Sequence, residues 1–325
     1  MCIGNAIVDV IAHADDAFLI EHGMTKGSMQ LIDAPTATAL YADMGAGLES
    51  SGGSASNTAA GIASFGGSVA FVGKVADDQL GEVFSHDIRA IGVQYSAPAA
   101  GADTLPTARC LILVTPDAER TLNTFLGISS LIGPSDVDLD LVRSAEVLYC
   151  EGYLWDTDDA KAAMRGAMEA AHAAGKKVAF TLSDSFCVDR HRGDFLELAE
   201  HHIDILFANE SEICSLYETD DFDKAAAAVA GHCELACLTR SEKGSSIIAA
   251  DGARHDVPAH PVEKVIDTTG AGDLFAAGFL YGFTSGRDVE TCARLGGLAA
   301  AEVISHLGAR PDQSLSELAS AAGLV

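Results

Sequence analysis

The segment from Asp267 to Gly282 reads DTTGAGDLFAAGFLYG. Gly270, Ala271 and Gly272 make a turn small enough for backbone N–H groups to converge, and an apolar helix with almost no polar face starts at about Asp273. A helix N-terminus carries roughly half a positive charge, and its free N–H groups make it an anion site. A dinucleotide fold would also put glycines at such a turn, but a carboxylate at Asp273 would repel a bound pyrophosphate. If a phosphoryl group rests on the amides of Gly270, Ala271 and Gly272, Asp273 stands beside it and can accept the proton of an attacking hydroxyl. The plainer alternative is an acid capping a buried helix. Two Thr residues, the GAG turn and the small Ala276, Ala277 and Gly278 are more than a cap requires.

Other segments could complete such a site. In Ser51 to Asn57 (SGGSASN), Gly52 and Gly53 let the backbone approach a ligand closely, and Asn57, in the first turn of a following helix, can donate and accept at once, which suits a sugar hydroxyl; an ordinary Gly-rich helix start would look the same. Asp9 follows Gly4 and Asn5 in GNAIVD, inside an apolar strand where a carboxylate needs a partner. Vicinal hydroxyls would serve, and so would a backbone amide or an Arg. Asn209 to Glu212 (NESE) stands where a strand meets a helix, the end of the sheet that binds ligands in open α/β folds, and equally reads as an N-cap with acids complementing the helix dipole. Thr239 to Gly244 (TRSEKG) joins two strands and reads as a hairpin or as part of the same site.

The elements that must carry these residues alternate. Strands are predicted at Met1 to Ile11, Ser68 to Val75, Val147 to Tyr149, Lys177 to Leu182, Ile203 to Ala208, Leu235 to Thr239 and Ser246 to Ala249. Helices are predicted at Ala55 to Phe65, Asp158 to Ala174, Phe195 to His202 and Ser211 to Tyr217, and Ala225 to Ala228 reads as good helix sequence. This βαβ cadence implies an α/β fold, a doubly wound, mostly parallel sheet with helices on both faces. Ala14 to Ile32 and Thr104 to Thr124 break the cadence with short β-like runs and read as a small β lid. The division expected is a large α/β domain over 1–12, 36–100 and 127–325, and a lid over 13–35 and 101–126.

Composition narrows the classes. The 325 residues are 48% hydrophobic and 21% charged, enough for about two domains and a sizeable core. Acidic residues number 47 against 20 basic, a net charge of −27, and such a field disfavours nucleic acid and anionic membrane as partners. With no run near the roughly 20 apolar residues of a membrane span and no leader pattern, the expectation is a cytoplasmic protein, with monomer and homodimer both left open. The eight cysteines are scattered, as reduced thiols would be. Cys233 and Cys237 read as buried strand thiols rather than zinc ligands. No P-loop, no GxSxG elbow and no GxGxxG after the first strand are present.

Taken in order and spacing, Asp9, Gly52, Gly53, Asn57, NESE and DTTGAGD resemble the ribokinase-like carbohydrate and nucleoside kinases of the PfkB family over nearly the whole chain. GNAIVD, Arg120 to Leu126 (RTLNTFL) and Asp204 to Glu212 (DILFANESE) are most similar to its adenosine kinase branch. The resemblance implies transfer of the γ-phosphoryl group of ATP to a sugar CH2OH, the 5′-hydroxyl of a purine nucleoside in that branch. It implies Asp273 as catalytic base and the amides of Gly270, Ala271 and Gly272 as anion hole. Asn5, Asp9, Gly52, Gly53 and Asn57 would hold the ribose, and Arg120 would descend from the lid to meet phosphate charge. Asn209, Thr239 and Gly244 would serve the nucleotide, and Glu212 would hold Mg2+ through water. Many members also use K+ beside the anion hole, which this chain leaves open. Phe125 and Tyr153 are the residues considered for base stacking, and the first strand is expected to be short. The rival readings are a kinase of free ribose or fructose, a non-catalytic binder on the same fold, and a nicotinamide dehydrogenase.

Overall fold

Val147 to Cys150 and Ile205 to Ala208 are apolar at every position, the pattern of parallel strands covered on both faces. In the computed structural model of the chain, which describes all residues except 96–99, 102–104 and 118, these runs lie at the centre of an eight-stranded sheet. In chain order the strands are β1 (Cys2–Ile3), β2 (Ile7–His13), β3 (Met29–Leu31), β4 (Leu48–Gly52), β5 (Phe71–Val72), β6 (Ala108–Val114), β7 (Arg120–Phe125), β8 (Val147–Glu151), β9 (Lys177–Thr181), β10 (Ile205–Asn209), β11 (Leu235–Thr239), β12 (Ser245–Ala249) and β13 (Arg254–Val257). The large sheet has the order β13-β12-β11-β10-β9-β8-β1-β5, parallel from β5 to β11 and antiparallel through β12 and β13. Alternate residues feed opposite cores. Leu148, Phe180 and Leu206 pack with Trp155 and Met164 on one face, while Tyr149, Ala179, Ile205 and Phe207 pack with Phe279 on the other. Cys233 and Cys237 belong to different faces, and every cysteine is a free thiol.

The second sheet has five strands in the order β3-β7-β6-β2-β4. The expected lid segments supply β3, β6 and β7, but β2 and β4 come from stretches assigned by sequence to the large domain. Two local features explain this. The single strand expected over Met1 to Ile11 is two strands in different sheets, because the chain turns away at Gly4 to Ala6: a side chain on Gly4 would lie 2.3 Å from Glu151 Oε2, and the Asn5 N–H leaves the ladder to donate to Glu151 Oε1 at 2.7 Å. Strand β4 (LESSG) has almost no apolar alternation to announce it, and its antiparallel register with β2, Ile7 opposite Gly52, is tertiary. Residues 102–104 and 118 of the expected lid lie outside the described residues.

The helix Ser185–His201 begins well before the expected Phe195. Asp184 caps it by accepting Cys187 N–H at 2.6 Å, and a kink at His191 (φ −122°, ψ 19°) breaks the period that sequence reading follows. The strand expected over Ser68 to Val75 narrows to β5. The other expected helices form nearly as read, at Ser54–Ser64, Asp158–Ala173 and Glu210–Leu216, and the alanine run lies in Phe222–Val229. No described helix is long and apolar enough to cross a membrane.

Candidate active site

The helix Ala271–Thr284 is anchored by Leu274, Phe275, Phe279 and Leu280, all buried, each contributing about 1.5–3 kcal/mol. Its N-cap is Gly270 in the left-handed region (φ +78°, ψ −2°), with no capping side chain. A Cβ on Gly270 would lie 2.8 Å from that of Ala309, so conformation and space both require glycine here. An α-helix leaves its first N–H groups without internal partners. Of those in the expected anion hole, the Ala271 N–H turns back to Thr268 O at 3.2 Å. The amides of Gly270, Gly272 and Asp273 have no hydrogen-bond partner among the described residues.

Asp273 is not sealed in the interior. Its side chain lines a cavity of about 340 Å³ together with Ile7, Asp9, Gly53, Asn57, Tyr153 and Glu212. Ser54 Oγ donates to Asp273 Oδ1 at 2.6 Å and Asn57 Nδ2 to Oδ2 at 3.0 Å. Burial lifts the Asp273 carboxyl above the ordinary aspartate value, against the pull of Ser54, Asn57 and Arg310. Two fixed hydrogen bonds and a raised proton affinity are what a poised general base needs.

Across the cavity, Asp9 projects from β2 and makes no hydrogen bond among the described residues; burial lifts its carboxyl to about 6, Arg310 and Arg120 lowering it and Asp273 raising it. Gly52 is the wall behind it: a Cβ there would lie 2.4 Å from Asp9 Oδ2. Gly53 adopts φ +95°, and a Cβ on it would meet Asn5 O at 2.2 Å. Asn57 spends its amide N–H on Asp273, and its Oδ1 is buried without a partner.

Glu212 and Asn209 form a capping box at the start of Glu210–Leu216, as the N-cap reading of NESE expects, and both also line the cavity. Burial, reinforced by Asp184 and Asp273, pushes the Glu212 carboxyl up to about 7. Thr239 lines the same cavity, whereas Gly244 (φ +86°) does not, and it closes the β11–β12 hairpin where a Cβ would meet Val257 O at 2.1 Å.

The profile of the pfkB family carbohydrate kinases matches residues 40–315. The chain belongs to that family. The crystal structure of adenosine kinase from Sinorhizobium meliloti is 54% identical and superposes with a TM-score of 0.91 over 99% of this chain and 98% of that one. A probable sugar kinase from Rhizobium etli CFN 42 is 52% identical with a TM-score of 0.92, over 100% and 98%. Adenosine kinase of Saccharomyces cerevisiae is 27% identical over 97% of each chain. The ribokinase-like fold read from the sequence is thereby borne out, and the chain is an ATP-dependent phosphotransferase.

Against this pfkB kinase frame, two further expected site residues besides Gly244 sit elsewhere. Asn5 does not face the cavity: its Nδ2 donates to Glu151 Oε1 at 2.8 Å and its Oδ1 accepts from Ser129 Oγ at 2.9 Å, so its side chain is fully engaged in buried structure. Arg120 does reach the turn from the small sheet, but it pairs with buried Asp267 and donates to Thr269 Oγ1 at 3.2 Å rather than entering the cavity. Tyr153 lines the cavity, whereas Phe125 is packed at the end of β7 outside it. Sequence reading missed Ser54 and Asp267, although both lie inside quoted motifs. It missed Glu151, whose signal is a Glu closing an apolar strand; this carboxylate also accepts Ala55 N–H at 2.7 Å under the Ser54–Ser64 helix. It missed Arg310, for which the local sequence offers no signal.

Proposed function

We propose that the protein transfers the γ-phosphoryl group of ATP to the 5′-hydroxyl of a purine nucleoside, adenosine before others. The observation that carries this reading is the opening of Asp273, beside unpartnered helix amides, into one cavity with Asp9 and the orphan Asn57 Oδ1. Ionised Asp9 offers two acceptor oxygens to vicinal ribose hydroxyls, and Asn57 Oδ1 offers a third acceptor. The reacting hydroxyl then lies at Asp273, which takes its proton as the hydroxyl oxygen bonds to the γ-phosphorus and the bond to the departing ADP breaks, the amides of Gly272 and Asp273 donating to the phosphoryl oxygens in transit. Ile7, Asp9, Cys110 and Thr124 bring the small sheet over the cavity, so closure of that sheet as a lid excludes water. The identity to an adenosine kinase over the whole chain supports the nucleoside as acceptor.

Burial, with Asp184 and Asp273 adding to it, drives the Glu212 carboxyl up to about 7, and Glu212 and Asp273 line the same cavity, where a hydrated divalent cation would offset their charge. Mg2+ keeps much of its hydration shell and would arrive on the phosphates with its waters. Glu212 and Asn209 would hold it there, and it would neutralise charge on the β- and γ-phosphates.

The likeness to a probable sugar kinase favours one second reading, the same transfer to free ribose or fructose. ADP release measured with adenosine, inosine, guanosine, ribose and fructose separates them. Adenosine is expected to give the highest kcat/KM, and turnover of ribose without turnover of adenosine rejects the nucleoside assignment.

A further inference from the structure

The loop after the helix Val289–Val303 carries Arg310 beneath the Gly52–Gly53 turn. Its Nη2 donates to Ser51 Oγ at 3.1 Å and to Ser56 Oγ at 2.7 Å. Ser51 lies just before the turn and Ser56 just after it. Each hydroxyl directs its own proton elsewhere, Ser51 Oγ to Asp87 Oδ2 at 2.6 Å and Ser56 Oγ to Gly52 O at 2.7 Å. Both therefore present a lone pair that only a donor such as the guanidinium can fill. Arg310 Nε and Nη1 are buried without a partner among the described residues. Asp87, Asp9 and Asp273 are the carboxylates that act on its charge, and Arg120 is the other cation acting on Asp9. A buried charge held by two neutral hydroxyls is costly unless the carboxylates around it need the charge.

We propose that Arg310 is a positioning residue for the phosphoryl acceptor: by tying Ser51 to Ser56 behind the Gly52–Gly53 turn, it fixes where Asp9 and Asn57 receive the acceptor hydroxyls. The turn sets both groups directly. Gly52 backs the Asp9 carboxyl, and Asn57 N–H donates to Gly53 O at 2.8 Å. The charge of Arg310 also keeps Asp9 ionised, the form that only accepts hydrogen bonds. This role rests on the acceptor reading proposed above.

Arg310→Met, Arg310→Lys and Ser56→Ala test it, each checked by circular dichroism and thermal melting and assayed with acceptor and ATP varied separately from pH 5.5 to 8.5. In Arg310→Met the acceptor KM rises at least tenfold and the ATP KM moves less than twofold. The acid limb of kcat/KM for the acceptor shifts to higher pH, because Asp9 and Asp273 both lose a cation that lowers their pKa. Arg310→Lys returns the acid limb to its wild-type position and recovers part of the acceptor KM, and Ser56→Ala raises that KM without moving the limb. A merely structural arginine would leave the limb in place. An acceptor KM within twofold of wild type in folded Arg310→Met, or an unmoved limb there, overturns the proposal. If Arg310→Met does not fold, Ser56→Ala decides, and an acceptor KM within twofold of wild type overturns it. Wild-type protein that turns over neither nucleoside nor sugar overturns the acceptor reading instead.

Discussion

Replacing Asp273 by Asn separates a catalytic base from a carboxylate that only holds Ser54 and Asn57 in place. The carboxylate accepts one bond on each oxygen, from Ser54 Oγ at 2.6 Å and from Asn57 Nδ2 at 3.0 Å. An asparagine can keep its carbonyl towards Asn57 and turn its amide towards Ser54, whose hydroxyl rotates to accept. The change exchanges two bonds to a charged group for two neutral ones, about 1–2 kcal/mol, and part of that returns because a buried charge is removed. The thermal midpoint should therefore fall by no more than about 5 °C. The proton acceptor, however, is gone, and kcat should drop by roughly 10²- to 10⁴-fold, equivalent to about 2.7–5.4 kcal/mol of barrier. A coupled ADP-release assay reads kcat, and titration calorimetry with adenosine reads binding, which should persist. A kcat within threefold of wild type, or an adenosine affinity that falls in step with kcat, refutes the assignment of Asp273 as base.

Gly53→Ala forces a Cβ to within 2.2 Å of Asn5 O at φ +95°; the conformation alone costs about 1–2 kcal/mol, so the midpoint should fall by several degrees and acceptor KM should rise, and an unchanged melt rejects the requirement. Arg120→Met removes the cation paired with the buried Asp267 carboxylate, which keeps the donors of Thr269 and Gly308, a loss of up to about 3–5 kcal/mol, and adding Asp267→Asn should regain part of it; a double variant no more stable than Arg120→Met shows that the pair is not coupled. Burial raises the carboxyls of Asp9 to about 6 and of Glu151 and Glu212 to about 7. These folded values lie above the unfolded ones, so the stability these groups contribute is full below about pH 4 and is lost as pH rises through 6 and 7, each tenfold difference in proton affinity between the folded and unfolded chain being worth about 1.4 kcal/mol. The free protein should melt higher at pH 5.5 than at pH 8, and added salt, which screens surface charge far more than buried groups, should leave most of that difference. A midpoint that is flat or rises with pH contradicts it.

Much of the chemistry was legible in single segments because its geometry is local. DTTGAGD makes its own turn, with the positive φ of Gly270, the helix dipole and the acid set within seven consecutive residues. The doubly wound sheet was legible for a related reason: strands buried on both faces are apolar along their middles, as VLYC, VAF, ILFA and LACL of β8 to β11 are. NESE was equally local, since an Asn–Glu capping box closes within three residues.

What the sequence left open depends on chain crossings. Asn5, Asp9 and Arg120 each stand in a recognisable motif, yet the fold sends Asn5 into the core against Glu151, leaves Asp9 open to the cavity and commits Arg120 to Asp267. Glu151 and Arg310 act on residues tens to hundreds of positions away, over separations of 146 for Glu151 to Asn5 and 254 for Arg310 to Ser56. A local pattern encodes backbone shape and which faces are apolar, because both arise from neighbours along the chain. The partner of a buried charge is decided only when distant segments are packed together and the cost of leaving it unpaired selects one neighbour over another.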